Sequence, residues 1–218
     1  MRAVVFDLFG TLVSWPDGAP HTLAMAQQLG IPYESFWPVW SRMRKARDAG
    51  EMTSERSLRI VCDELAVTAD DDRLRLAAVA RTLFLQSVLI PRDGALETLR
   101  GLRSRGLRIG LVSDASLEVP RLWNATALAP MIDAAVFSCN ERAVKPDPRL
   151  YAAIVDRLGI PPEQCLYVGN GDGNELTGAL RAGMSAVLFT GPGEIPGREA
   201  AAWTGLRISH LADVREAV

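Results

Sequence analysis

Five short runs of apolar residues, each ending in a polar or glycine-rich turn, constrain this chain more than any other feature of its sequence. Ala3–Phe6 runs into Asp7, Arg108–Val112 into Ser113 and Asp114, and Ala134–Phe137 into Ser138. Cys165–Val168 runs into Gly169 and Asn170, and Ser185–Phe189 into Thr190 and Gly191. Runs this short, apolar on both faces and separated by helical stretches, predict a parallel sheet covered by helices on either side. The helices between them are readable. Asp93–Ser104 opens with an acidic cap, places Leu96, Leu99 and Leu102 on one stripe and stops at Gly106. Arg149–Leu158 carries Leu150, Ile154 and Leu158 at fourfold spacing before Gly159, and Glu175–Ala182 ends at Gly183. The alternation is that of the α/β class with a doubly wound parallel sheet, whose sites form at the carboxyl ends of the strands.

Residues 14–90 interrupt this order. They hold no strand-like run, and the predicted helices are His21–Leu29, Ser35–Ala49, Ser54–Leu65 and Asp71–Val88. The Thr-Ala-Asp-Asp-Asp stretch at 68–72 reads as a loop and helix start, and Pro91-Arg92-Asp93 marks the return to the sheet. The segment is an all-helical insertion, which leaves residues 1–13 and 91–218 as the sheet-bearing core. After Thr190 the chain turns loop-rich and adds one short strand and helix. At 218 residues and 48% hydrophobic, the chain suffices for one domain with a modest insertion and a core that folds without staples.

Charge and cysteine usage narrow the partners. With 24 Lys and Arg against 26 Asp and Glu, the formal net charge is −2, which argues against binding nucleic acid or a membrane mainly through charge. No apolar run reaches the roughly 18–20 residues of a membrane span, and the N-terminus reads as a strand rather than a signal peptide. Cys62, Cys139 and Cys165 are too widely spaced for a disulfide framework and read as buried free thiols of a reducing compartment. A cytoplasmic monomer or homodimer is expected.

Four strand ends collect polar groups that can work together. Asp7, at the mouth of the sheet, can serve as nucleophile or metal ligand, or simply cap a turn. Ser113, beside Asp114, can hold an anionic oxygen with nearby backbone N–H groups, or cap a helix. Lys145 stands in Val-Lys-Pro-Asp-Pro, where proline extends the backbone before a helix that Asp147 would cap. From there a cation can pair with a nucleophilic carboxylate, although a lone lysine is ordinarily solvated. The fourth, VGNGDGNELTGALRAGM over residues 168–184, is a glycine-rich turn opening a helix. Asp172 and Glu175 lie three apart in it, a spacing that places both on one helical face near a metal.

Together these four resemble the haloacid dehalogenase superfamily of hydrolases. The matching residues are FDLFGT with Asp7, LVSD with Ser113, VKPDPRLY with Lys145, and the block from Tyr167 to Met184. The resemblance implies a Rossmann-like core with a helical cap inserted after the first motif, for which residues 14–90 are suited. It also implies Asp7 as the nucleophile of a covalent aspartyl intermediate, Ser113 on a substrate oxygen, and Lys145 steadying Asp7 and the transferring group. Mg²⁺, where the family uses it, would be held by Asp7, the Phe9 carbonyl and the fourth block, here Asn170, Asp172 and Glu175. Phe9, Gly10, Thr11, Asp114 and Arg44 are the candidate substrate-binding residues. The substrate would be a small anionic metabolite.

Two positions depart from the family pattern. Its phosphatases usually carry a second Asp two residues after the nucleophile as general acid and base. Phe9 stands there instead, and a phenyl ring transfers no proton, a loss worth roughly 10²–10⁴-fold. The family's dehalogenases carry an aromatic residue at this place. Asn170 replaces the Asp that usually begins the fourth block, keeping an oxygen but losing the charge that Mg²⁺ favours. The leading expectation is slow hydrolysis of a phosphate monoester. The alternatives are metal-independent dehalogenation of 2-haloacids, or a catalytically weak ligand- or partner-binding protein. In the cap, Trp40, Arg44 and Arg47 share a helical face that would look into the cleft, or else form a solvated basic surface over Trp37, Trp40 and Met43. His21 and His210 lie outside every motif and are expected at the surface or as caps.

Overall fold

A computed structural model of the chain describes residues 1–15, 22–194 and 197–218. In chain order the elements are β1 (Ala3–Phe6), α1 (Leu23–Leu29), α2 (Tyr33–Arg42), α3 (Arg44–Asp48), α4 (Ser54–Glu64) and α5 (Asp71–Val88). They continue with α6 (Ala95–Ser104), β2 (Arg108–Ser113), α7 (Glu118–Trp123), β3 (Ala134–Phe137), α8 (Ser138–Glu141) and α9 (Pro148–Leu158). The last are β4 (Cys165–Gly169), α10 (Glu175–Arg181), β5 (Ser185–Phe189) and β6 (Arg207–Ile208), before a closing 3₁₀ turn at Leu211–Glu216.

The six strands form one parallel sheet in the order β3-β2-β1-β4-β5-β6. The order reverses at β1, so the crevice beyond its carboxyl end is the topological switch point where doubly wound sheets bind ligands. Side chains alternate across β1 with the strand period of two: Val4 and Phe6 join the core on one face, Ala3 and Val5 that on the other. Phe6 is in register with Leu111 of β2 and Val168 of β4, which brings Asp7, Ser113 and Asn170 to one end of the sheet.

The helices α1, α2, α4 and α5 bury a third apolar cluster of their own, built on Met25, Leu29, Phe36, Trp40, Leu58, Val61 and Leu74. Asp70 caps α5 through the Arg73 N–H at 2.8 Å, and Asp147 caps α9 through the Arg149 N–H at 3.0 Å. The first residue of the expected helix His21–Leu29 lies outside the described residues. His210 is exposed and closes a reciprocal capping box with Asp213. All three cysteines are buried and free, and among the described residues no helix is long and apolar enough to cross a membrane.

Two expectations change. The helix expected over Ser35–Ala49 breaks at Met43. The Trp40 carbonyl, which would accept from Arg44 in a continuous helix, takes the Met43 N–H at 3.2 Å and the Arg47 guanidinium at 3.0 Å instead. Helix α6 is capped not by Asp93 but by Gly94, in the left-handed region at φ +77°, and begins at Ala95.

Candidate active site

Asp7 leaves β1 with its N–H on the Val168 carbonyl at 2.9 Å, and its side chain is almost wholly buried. Oδ1 accepts from Lys145 Nζ at 2.6 Å and Oδ2 from the Thr11 hydroxyl at 3.1 Å. The chain can double back to bring Thr11 there because Gly10 adopts φ +79°. A Cβ at Gly10 would sit 2.2 Å from the Asn170 amide nitrogen, so that position must lack a side chain.

Lys145 also donates to Glu175 Oε2 at 2.5 Å. Glu175 is fully buried: Oε2 accepts from the Tyr167 hydroxyl and Oε1 from the Gly171 N–H, each at 2.9 Å. One ammonium thus lies between two carboxylates in a dry setting. Burial opposes its charge, but Asp7, Glu175 and Asp114 outweigh burial and hold Lys145 well above the usual lysine range. Burial, and the neighbouring Asp7 charge, push Glu175 up.

A cavity of about 200 Å³ opens in front of Asp7 and Lys145. From the sheet side Phe9, Asp114, Ala115, Ser116, Asn170 and Asp172 line it; from the helical side come Trp37, Trp40, Arg44, Arg47, Asp48 and Arg81. Phe9 and Trp15 line it and stack with ring centroids 4.9 Å apart, and Trp15 is backed in turn by Phe84 at 6.1 Å, so this part of the wall is aromatic.

The basic face is solvated only in part: Arg44 is exposed and Arg47 is buried. Arg47 is 3% exposed, its guanidinium lies 3.7 Å over the Trp40 ring, and burial together with nearby Arg81 pulls its pKa down to about 10. Arg44 reaches across to the sheet, pairing with Asp172 at 3.1 Å and with Asp48 of its own helix at 3.2 Å.

Not every expected residue meets the cavity. Ser113 is fully buried, its hydroxyl 3.4 Å from the Asp114 carbonyl, and Asp114, Ala115 and Ser116 border the cavity in its place. Gly10 and Thr11 act behind Asp7 rather than on the cavity wall. Arg81 and Asp48 are cavity residues that sequence reading misses. Arg81 sits mid-helix, where an arginine reads as a solvated charge, and nothing in its spacing marks it. Asp114 hangs by Oδ1 from the Lys145 N–H at 3.0 Å, and burial, partly offset by Lys145, raises its pKa to about 6.

Of the residues expected to hold Mg²⁺, those of the fourth block are not arranged as a magnesium site. Such a site needs hard oxygens free to face the ion in octahedral geometry. Asp172 and Glu175 do not share a helical face, because Gly173 (φ +62°) and Asn174 (φ +54°) turn left-handed between them and α10 starts only at Glu175. Glu175 has both oxygens engaged in the core, Asp172 Oδ2 faces Arg44, and Asn170 Oδ1 accepts from the Asp172 N–H at 3.1 Å. Among the described residues, no three His, Cys, Asp or Glu side chains converge to hold a metal.

A buried carboxylate gripped by lysine thus lies at the switch point of a doubly wound sheet, under a helical layer. The chain belongs to the haloacid dehalogenase-like hydrolases, whose family model matches residues 1–183. It is 31% identical to a phosphatase of Mycobacterium tuberculosis over 89% of each chain. It is 26% identical to (S)-2-haloacid dehalogenase 4A of Burkholderia cepacia, over 90% of this chain and 86% of that one. Its fold matches the 2-haloacid dehalogenase of Pseudomonas syringae pv. tomato DC3000 with a TM-score of 0.71 at 23% identity, covering 99% and 97% of the two chains.

Proposed function

We propose that the protein hydrolyses a small 2-substituted carboxylic acid, such as a 2-haloacid, through a covalent ester on Asp7 and without a metal. Phe9 carries the reading: its ring, stacked on Trp15, walls the cavity beside Asp7 where the family's phosphatases usually carry a proton-transferring Asp. A leaving group that departs as a stable anion needs no proton, and an apolar aromatic face suits a halide better than a phosphate oxygen. Residues 14–90 act as the cap over a core of residues 1–13 and 91–218.

In this mechanism Asp7 attacks the substituted carbon, the leaving group departs with its bonding pair, and water then cleaves the ester at the Asp7 carboxyl carbon. Two negative charges 4 Å apart repel by about 4 kcal/mol at an effective dielectric constant near 20. Lys145 offsets that repulsion on the nucleophile, and Arg47 and Arg81 offset it on the substrate carboxylate.

The test is halide release from both enantiomers of 2-chloropropionate and 2-bromopropionate in EDTA, with Asp7→Asn as the blank. Release that is abolished in the variant supports the reading; none above the blank overturns it.

Hydrolysis of a phosphate monoester is the second reading. It is favoured by the similarity to the mycobacterial phosphatase and by the glycine-rich form of the turn at 169–174. Mg²⁺-dependent phosphate release from a panel of small esters, lost in Asp7→Asn, would establish it instead.

A further inference from the structure

The covalent reading leaves one step without an agent. Water attacking the Asp7 ester must lose a proton, the departing 2-hydroxy acid must gain one, and Phe9 can do neither. We propose that Asp114 performs both transfers, acting as general base on the hydrolytic water and then as acid to the alkoxide. The inference rests on the covalent mechanism proposed above.

Geometry singles out Asp114 by elimination and by placement. Glu175 is fully buried, with both oxygens committed to Lys145, Tyr167 and Gly171, and does not border the cavity. Asp172 is held by Arg44, whose cation outweighs burial and keeps that carboxyl below its usual range, a poor base. Asp48 borders the cavity from α3 on the helical side and is ion-paired with Arg44, whereas Asp114 stands beside Lys145 at the strand ends that carry Asp7.

Among the described residues, Asp114 is tied only through Oδ1, to the Lys145 N–H. No hydrogen bond from a described residue reaches Oδ2, and Asp114 borders the cavity together with Asp7 and Lys145. Lys145 therefore grips both carboxylates: its backbone N–H orients Asp114 while its ammonium holds Asp7.

The charges facing Asp114 are Lys145, Asp48 and Asp7, with Arg44 and Asp172 also on the cavity wall. Burial and the two carboxylates outweigh Lys145 and place its titration at about 6, so near neutrality it is ionised and ready to accept.

The step balances. Water bonds to the Asp7 carboxyl carbon as one proton passes to Asp114 Oδ2. The tetrahedral centre collapses, breaking the bond between that carbon and the ester oxygen, and the released alkoxide takes the proton back from Asp114. Asp7 is regenerated as the acid and loses its proton to solvent. Over the whole cycle one water is consumed, and the 2-hydroxy acid, the halide and one proton are released.

Asp114→Asn keeps the acceptor for the Lys145 N–H and removes only proton transfer. With 2-chloropropionate it is expected to release about one equivalent of chloride per site, then turn over roughly 10²–10⁴-fold more slowly than the parent. The adduct should appear by mass spectrometry on the peptide carrying Asp7, and the acidic limb of the kcat profile near pH 6 should vanish. The chloride burst itself shows that the variant is folded. Asp114→Glu should restore part of the turnover.

Undiminished turnover in Asp114→Asn with the acidic limb intact overturns the inference, and so does loss of the burst while binding persists, which would place Asp114 in the first step. A parent protein that forms no adduct and releases no halide defeats the covalent mechanism itself, a result read before any Asp114 variant is made.

Discussion

Replacing Lys145 with methionine tests whether the site is held together by one cation between two carboxylates. The ammonium is 2.6 Å from Asp7 and 2.5 Å from Glu175, and all three side chains are 5% exposed or less. Removing one partner from a buried ion pair costs about 3–5 kcal/mol, because the charge left behind is uncompensated. In Lys145→Met two such charges remain, and the cheaper outcome is that the pair takes up a proton on folding. Glu175 is already pushed up by burial and by Asp7, and losing the lysine pushes it further.

The sign follows from linkage. A carboxyl raised in the folded state binds more protons folded than unfolded, so stability falls as pH rises above its unfolded value near 4.5. Each pH unit within that window is worth about 1.4 kcal/mol. Urea unfolding of Lys145→Met should therefore show a smaller loss relative to the parent at pH 5 than at pH 8. The double variant Lys145→Met/Glu175→Gln should recover most of the loss at pH 8 without recovering activity. Equal losses at both pH values, or a double variant no more stable than the single one, would refute the reasoning.

Other changes probe the walls of the cavity. Phe9→Asp supplies a proton-transferring group and a carboxylate beside Asp7; phosphate release under saturating Mg²⁺ should rise and halide release fall, and a variant no faster on phosphate esters contradicts the role given to Phe9. Arg47→Ala removes a cation held over Trp40 at 3.7 Å. A charged hydrogen bond of about 1.5–3 kcal/mol should be lost from substrate binding, raising KM roughly 10–100-fold with a smaller change in kcat, and an unchanged KM would remove Arg47 from the substrate site. Gly178→Ala would put a Cβ 2.4 Å from the hydroxyl oxygen of Tyr151, whose ring is fully buried; a loss of about 1–3 kcal/mol in urea unfolding is expected, and parent-like stability would mean that α9 and α10 can separate freely.

The strands were legible because a strand buried on both faces must be apolar throughout, and Ala3–Phe6, Ala134–Phe137 and Ser185–Phe189 end where their apolar runs end. The pairing of Asp7 with Lys145 was legible through resemblance, since 138 positions separate them in the chain. Helices α7 and α8 went unseen because six and four residues carry too little periodicity, and Pro120 inside α7 reads as a breaker. The break at Met43 depends on which donor reaches the Trp40 carbonyl, a competition that spacing does not encode. The separation of Asp172 from Glu175 turns on Asn174, a non-glycine residue in the left-handed region. Arg81 and Asp48 were hidden because their burial comes from a helical layer laid across the sheet, a tertiary fact with no local signature.

The central position of β1 has a consequence for how the molecule is made. Its partners are residues 108–111 on one side and 165–168 on the other, so the strand that leads to Asp7 leaves the ribosome well before either neighbour and finds the second only once residues 165–168 have followed. Contacts this distant along the sequence form slowly. The helices between Leu23 and Val88, which have an apolar cluster of their own, can collapse well before then. During synthesis Asp7 is thus attached to a hydrophobic strand with nothing to pair with, and its burial between Lys145 and Thr11 is among the last events of folding.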